Sequence, residues 1–248
     1  MNGFEKHGIK WLSHSSVDDF IESQAMWCIK YLGNRKDGVG PAAWRGSAAE
    51  AGLATFCRTG LLEEAANAAY SKFDFEAMFA NDFPGIAEER AAIPRYLNQA
   101  TTWATRNKVE LLEYQIGGYQ PAELPDMPIP FKYWIDFRFK GLGCVDMKTR
   151  KSLQFKGSDD RQLAIYKAIT GEPQSLLCVT PSKYECLSYG DNRLGAALDQ
   201  VRKTVLRMER FLSRVENAAD ALSILSINPD NWKVNSSILE AHAELTGA

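Results

Sequence analysis

The sequence predicts an α/β (α+β) fold, a central mixed β-sheet flanked by helices, with a helical N-terminal part. Three observations carry this. Apolar residues recur at helical spacing through most of 12–108. Between 109 and 190 the period shortens to that of strands, interrupted by one helical stretch. From 192 onward a helical stripe returns. No repeat, low-complexity tract or composition break divides the 248 residues, so one domain is expected over 1–248. Its parts are a helical region 12–108, a sheet core 109–190 and C-terminal helices 192–248.

Residues 12–32 read as one helix, capped by Ser15 or Ser16, with Asp18 and Asp19 in the first turn where the helix dipole favours acids. A Gly-rich, charged loop follows to Pro41. WRGSAAEAGLATFCRTG, residues 44–60, is a helix closed by Gly60, with Glu50 set among small and apolar residues. Residues 61–80 are Ala-rich and helical, and Pro84-Gly85 breaks the chain. In the next helix, 86–109, Pro94 marks either a kink or the true first turn.

Val109–Gln120 is strand-like, and four prolines between 121 and 130 make a connecting loop. Phe131–Lys140 and Gly143–Thr149 form a hairpin about a tight turn. Ser158 caps a helix that Gly171 and Pro173 end. Ser175–Thr180 and Lys183–Tyr189 are two further strands. In 192–217, Leu194, Leu198, Val201, Val205, Met208, Leu212 and Val215 alternate steps of four and three, a stripe expected to pack on the sheet.

Composition excludes little. Hydrophobic residues are 45% and charged residues 24%, as in ordinary globular chains. A net charge of −2 argues against a passive basic nucleic-acid binder, although a local groove with bound cations can still attract phosphate. No apolar run reaches the roughly 20 residues of a membrane span, and the first residues lack the apolar core of a signal peptide, so no membrane partner and a cytoplasmic location are expected. The five cysteines form no CxxC pair and are expected as free thiols.

The chemistry concentrates in the hairpin. Side chains alternate along a strand, so Asp146 and Lys148 point one way and Val145 and Met147 the other. Asp136, among apolar residues of the preceding strand, can be brought close to Asp146. Two close carboxylates repel, and a divalent cation relieves the repulsion; oxygen ligands favour Mg²⁺ or Mn²⁺. Lys148 beside the metal can orient a water or help deprotonate it, and stabilise developing charge. Ordinary ion pairs, with Lys148 neutralising one aspartate, are the alternative.

Ile135-Asp136, nine residues, then Asp146-Met147-Lys148 resembles the core of the PD-(D/E)xK nuclease superfamily. Gln162 to Tyr166, QLAIY, resembles the Q-x-x-x-Y helix of its RecB-like exonuclease branch, which includes phage and CRISPR-associated members. LSHSSVDDFIESQAMWC resembles that branch's N-terminal helix, and RGSAAE its G-x-x-x-(H/E) helix, with Gly46 and Glu50 in the matching places.

The resemblance implies a restriction-endonuclease-like core and a nuclease acting on DNA, single-stranded or at duplex ends, in recombination, repair or phage DNA processing. A recombination partner protein or a homo-oligomer is a further implied possibility. Asp136 and Asp146 would bind metal, Lys148 would be the catalytic lysine, Glu50 a further ligand, and Gln162 and Tyr166 would line the site. Glu50 as a solvated helix residue and Glu113 as a rival acid remain open. A structure-specific endonuclease and a non-catalytic DNA- or protein-binding chain are the rival functions. Several branch members carry an iron–sulfur cluster. Cys28 stands where the first ligand would be, but no cysteine follows Cys186, so no cluster is expected and Cys28 reads as a core thiol. Ile29 stands where the branch has proline. Arg35, Lys36, Arg45, Arg150, Lys151 and Lys156 are candidate phosphate contacts, and Trp44 a candidate for stacking on an unpaired base, with scattered surface charge and a core tryptophan the commoner alternative for each residue singly.

Overall fold

The computed structural model describes residues 2–35, 38–78, 83–118, 120–227 and 236–247. In chain order the elements are α1 (Gly3–Lys6), α2 (His14–Glu22), α3 (Gln24–Trp27, continuing as a π-turn over Cys28–Leu32), α4 (Pro41–Thr59), α5 (Leu62–Met78), α6 (Ile86–Asn107), β1 (Leu111–Gly117), β2 (Trp134–Phe139), β3 (Gly143–Thr149), α7 (Gly157–Thr170), β4 (Gln174–Val179), β5 (Tyr184–Tyr189), α8 (Asp191–Leu212), α9 (Ala218–Ser223) and α10 (Ser236–Thr246).

The five strands form one mixed sheet in the order β1-β2-β3-β4-β5. All neighbours are antiparallel except β3 and β4, which run parallel with Asp146 opposite Leu176 and Lys148 opposite Cys178. A parallel pair needs a crossover, and α7 supplies it. β4 is buried along its whole length, so β3 and β4 form the covered centre of the sheet. One face carries Val145, Met147, Leu177 and Val179 against α4 and α6. The other is covered by α7, over which α8 and α2 form an outer layer. The chain is therefore α/β, with a mixed sheet between helical layers.

Local chemistry places the ends of these elements. Pro41 opens α4, where its missing N–H costs nothing, and Gly60 closes it with φ 72°. Gly143, the last residue of the hairpin turn, has φ 77°, and a Cβ there would lie 2.5 Å from the Pro173 carbonyl oxygen.

Several boundaries differ from expectation. The stretch 12–32 is not one helix. Ser13 rather than Ser15 or Ser16 caps α2, accepting from the Ser16 N–H, and the chain breaks at Ser23, whose side chain caps α3. Pro94 lies inside α6 rather than in its first turn. Ser158 is already inside α7, and Asp159 secures that start by accepting from the Lys156 N–H at 2.8 Å. The α8 stripe packs mainly on α1, α2 and α7 instead of on the sheet, because α7 already covers that face. Periodicity reports a buried face without naming what buries it. No described helix is long and apolar enough to cross a membrane.

Gly52 lets α4 pack closely among its neighbours. A Cβ there would meet Leu97 Cδ1 at 2.8 Å and the Ala65 carbonyl oxygen at 2.9 Å. Gly52→Val is expected to lower stability by about 1–3 kcal/mol through overpacking, read as a lower urea midpoint at unchanged slope.

Candidate active site

The site begins where the β2–β3 ladder opens. Phe137 pairs with Val145, and extending this register by one pair sets Asp136 opposite Asp146. Here a side chain takes over from the ladder, as Asp136 Oδ2 accepts the Met147 N–H at 2.8 Å. Asp146 is 1% exposed and Asp136 9%. Asp136 feels the charge of Asp146 directly. Burial, then the Asp146 charge, pushes Asp136 up to about 7, and burial raises Asp146 as well.

Lys148 Nζ lies 2.6 Å from Asp146 Oδ2. Burial works against its charge, but Asp146 and Asp136 outweigh burial and hold the ammonium well above its ordinary value. The second Asp146 oxygen is clamped from α7, with Gln162 Nε2 donating to Oδ1 at 2.7 Å. Gln162 Nε2 also lies 2.8 Å from the Tyr166 hydroxyl, which itself donates to the Trp134 carbonyl oxygen. Gln162 and Tyr166 reach the same site because they are one helical turn apart. Together they tie α7 to both strands of the hairpin.

Glu50 approaches from the opposite layer. Gly46, one turn earlier on α4, brings that helix close to β3, since a Cβ there would stand 3.3 Å from Thr149 Oγ1. Glu50 makes no hydrogen bond or ion pair among the described residues, yet it feels Asp136, Lys148 and Asp146. Burial and Asp136 raise its pKa well above the ordinary carboxylate range.

Among the described residues no three His, Cys, Asp or Glu side chains, Glu50 with the two aspartates included, are grouped so as to hold a metal ion together. The donor set nevertheless fits a hard cation of the Mg²⁺ or Mn²⁺ type. Such ions use one or two carboxylates and take water and substrate phosphate for their other positions. Two opposed carboxylates and an unpartnered third, all held up in pKa chiefly by burial, with a neighbouring acid adding to it in each case, are groups that a cation would relieve.

A cleft of about 280 Å³ borders this site, lined by α2, the end of β3 and the start of α7. His14 lies in its wall, edge-on to the Tyr166 ring at 6.4 Å, and burial and the Lys148 charge lower its pKa to about 3. It is therefore neutral at ordinary pH. The sequence reading passed over His14, because a single histidine in the first turn of a helix carries no spacing signal. The Asp18–Arg161 pair, 2.5 Å from Oδ1 to Nε, was also unforeseen and ties α2 to α7 beside the cleft. Larger clefts, one of which shares Ser15 with this one, gather no comparable set of acids.

Several candidate DNA contacts are already engaged. Arg45 is 4% exposed, pairs with Glu89 and lies 4.2 Å over the Tyr96 ring. Arg150 forms a bidentate pair with buried Asp159 at 2.9 and 2.6 Å. Trp44 is a core residue edge-on to Phe73 and Phe83, so it cannot stack on a base. Trp44 and Arg45 face inward because α4 is covered by the sheet on one side and by α5 and α6 on the other. Arg35 is exposed but paired with Glu244. Lys151 and Lys156 are exposed, and Lys36 lies outside the described residues. Glu113 pairs at 2.8 Å with Arg138, away from the acid cluster. Cys28 is fully buried, and burial pushes its thiol up to about 12.

No family model matches the chain, and no curated protein matches it. Among solved structures, a protein from Eubacterium rectale described provisionally as an exonuclease is similar. It is 19% identical, with a TM-score of 0.52 over 81% of this chain and 82% of that one. LHK-Exo, an alkaline exonuclease from Laribacter hongkongensis, is 10% identical over 74% of this chain and 94% of its own, with a TM-score of 0.37. Its complex with dAMP is 9% identical over 69% and 94%, again at 0.37. The Eubacterium structure establishes the shared fold; the other two are too distant to add to it.

The raised pKa of Asp136 sets a pH dependence. Its folded-state value of about 7 lies above that of the unfolded chain, so this stabilising contribution is complete below the ordinary aspartate pKa and is lost as pH rises through 7. Asp18, pushed up to about 6 chiefly by burial, acts in the same direction. His14, held down to about 3, acts the other way up to its ordinary value of 6.5, so in the presence of chelator the melting temperature is expected to fall as pH rises from about 6.5 to about 8. Asp136→Asn, which can still accept the Met147 N–H, should flatten that fall; an equal fall in the variant would show that Asp136 does not hold the proton.

Proposed function

We propose that this chain is a metal-dependent deoxyribonuclease of the PD-(D/E)xK type, one nuclease domain that hydrolyses phosphodiester bonds, with exonucleolytic action as the favoured mode. The observation that carries the reading is the opposed, buried pair Asp136–Asp146, with the Lys148 ammonium on one of them and a cleft alongside. Supporting it are the order of the four motifs and the fold shared with a provisionally described exonuclease.

Asp136, Asp146 and Glu50 would hold Mg²⁺ or Mn²⁺, which when bound supplies positive charge for the phosphate oxygens and lowers the pKa of a water. Lys148 acts as a charged donor. The two aspartates favour its ammonium form, and it can donate to a phosphate oxygen on which charge develops. Gln162 fixes the Asp146 carboxylate by holding Oδ1, leaving Oδ2 to face Lys148. Tyr166 holds Gln162 in turn, so both are positioning residues. His14 offers a neutral hydrogen-bonding group at the cleft wall. The overall reaction adds water across a P–O bond of the strand, leaving a phosphate monoester on one fragment and a hydroxyl on the other.

Purified protein with linear DNA and Mn²⁺ is expected to degrade the DNA and to spare circular single-stranded DNA. Lys148→Ala and Asp146→Asn, shown to be folded by circular dichroism, should each cut the rate by about 10²–10³. Undiminished cleavage by either variant would reject the site, and efficient cutting of the circle would replace the exonuclease with an endonuclease on the same core.

A further inference from the structure

A second cleft, of about 550 Å³, meets the catalytic one at Ser15, which lines both. We propose that it is a subsite for an unpaired nucleotide of the substrate strand, with Trp11 stacking on the base and Lys10 and Lys132 contacting the adjacent phosphates; this rests on the nuclease reading above.

The wall of this cleft carries an exposed aromatic ring. Trp11 is 44% exposed; Trp134, on β2, is exposed to a similar degree at 41%, while Trp27, Trp44 and Trp103 are buried. The backbone beside Trp11 is held in place. Leu12 forms a parallel bridge with Phe131, its N–H donating to the Pro130 carbonyl at 3.0 Å and its carbonyl accepting the Lys132 N–H at 2.7 Å. That bridge sets Trp11 beside Lys132, whose Nζ lies 5.4 Å from the indole centroid. An ordered aromatic face next to a cation is the pairing that single-stranded nucleic acid uses, base on ring and phosphate on ammonium.

The charges point the same way. Lys10 and Lys132 are exposed and form no ion pair among the described residues, while Arg150 and Arg161 nearer the acids are held by Asp159 and Asp18. Lys156 is exposed at the catalytic cleft, so exposed lysines line both of the joined clefts. An unpaired strand fits better than a duplex, because stacking on Trp11 requires a base face not covered by its neighbours.

Fluorescence anisotropy of a labelled oligothymidylate, measured with the full chain in chelator, separates this proposal from the nuclease reading. Wild type is expected to bind. Trp11→Ala should weaken binding about tenfold, Trp11→Phe should recover most of it, and Lys132→Ala should weaken it with a shallower salt dependence. Blunt duplex of equal length should bind alike to wild type and Trp11→Ala. No measurable wild-type binding, a change under twofold in Trp11→Ala, or an equal loss for duplex would overturn the subsite. Wild-type cleavage of linear DNA together with an unaffected Trp11→Ala would remove the subsite alone; binding that depends on Trp11 without any cleavage would remove the nuclease reading alone.

Discussion

The structure turns on two carboxylates placed opposite each other in the covered part of a sheet. Burying one unpaired acid is costly, and burying two side by side adds repulsion to desolvation. Asp136 and Asp146 are tolerated because their surroundings are dedicated to them. The Met147 N–H holds one, Lys148 and Gln162 hold the other, and Tyr166 anchors Gln162 to the backbone of β2. Even so, both remain displaced toward protonation. The cluster is thus a place where the fold accepts an electrostatic cost, and on the proposed reading a divalent cation removes that cost when the site is loaded.

The rest of the architecture can be traced from this constraint. A parallel β3–β4 pair requires a crossover helix, and that helix supplies Gln162 and Tyr166 on one face. The hairpin register supplies Asp136 against Asp146. Gly46 allows α4 to come close enough for Glu50 to feel both aspartates from the far side of the sheet. Arg150–Asp159 and Arg161–Asp18 hold the cleft's rim, so the arginines nearest the acids are structural ties and not free phosphate contacts.

Much of this was legible from residues alone, for identifiable reasons. The hairpin and α7 were readable because alternation, a glycine-bearing turn and an acidic first turn agree locally, and Gly143–Thr149 was placed to the residue. The proximity of Asp136 to Asp146 followed from that pairing. The break at Ser23 was not legible, since Val17 through Cys28 keep helical spacing across it. Trp44 is the core residue that the commoner reading of it expects, whereas Arg45 faces inward because α4 is covered on two sides, which spacing along one helix does not reveal. The partner of the α8 stripe was misjudged for the same reason: a stripe shows that a face is buried, and only the tertiary arrangement says that α7 and α2 bury it. His14 lacked any pattern, and it emerged only once α2 was seen to lie along the cleft.

The central claim is that the Asp136–Asp146 pair is built to receive a divalent cation. Calorimetric titration of the full chain with Mn²⁺ near pH 6, in two buffers of different ionisation enthalpy, tests it most directly. The account predicts binding accompanied by proton release, because the acids enter the titration partly protonated, and loss of that binding in Asp146→Asn. Absence of Mn²⁺ binding by the wild type, even with a DNA oligonucleotide present, would contradict it and leave the cluster as a structural ion-pair network.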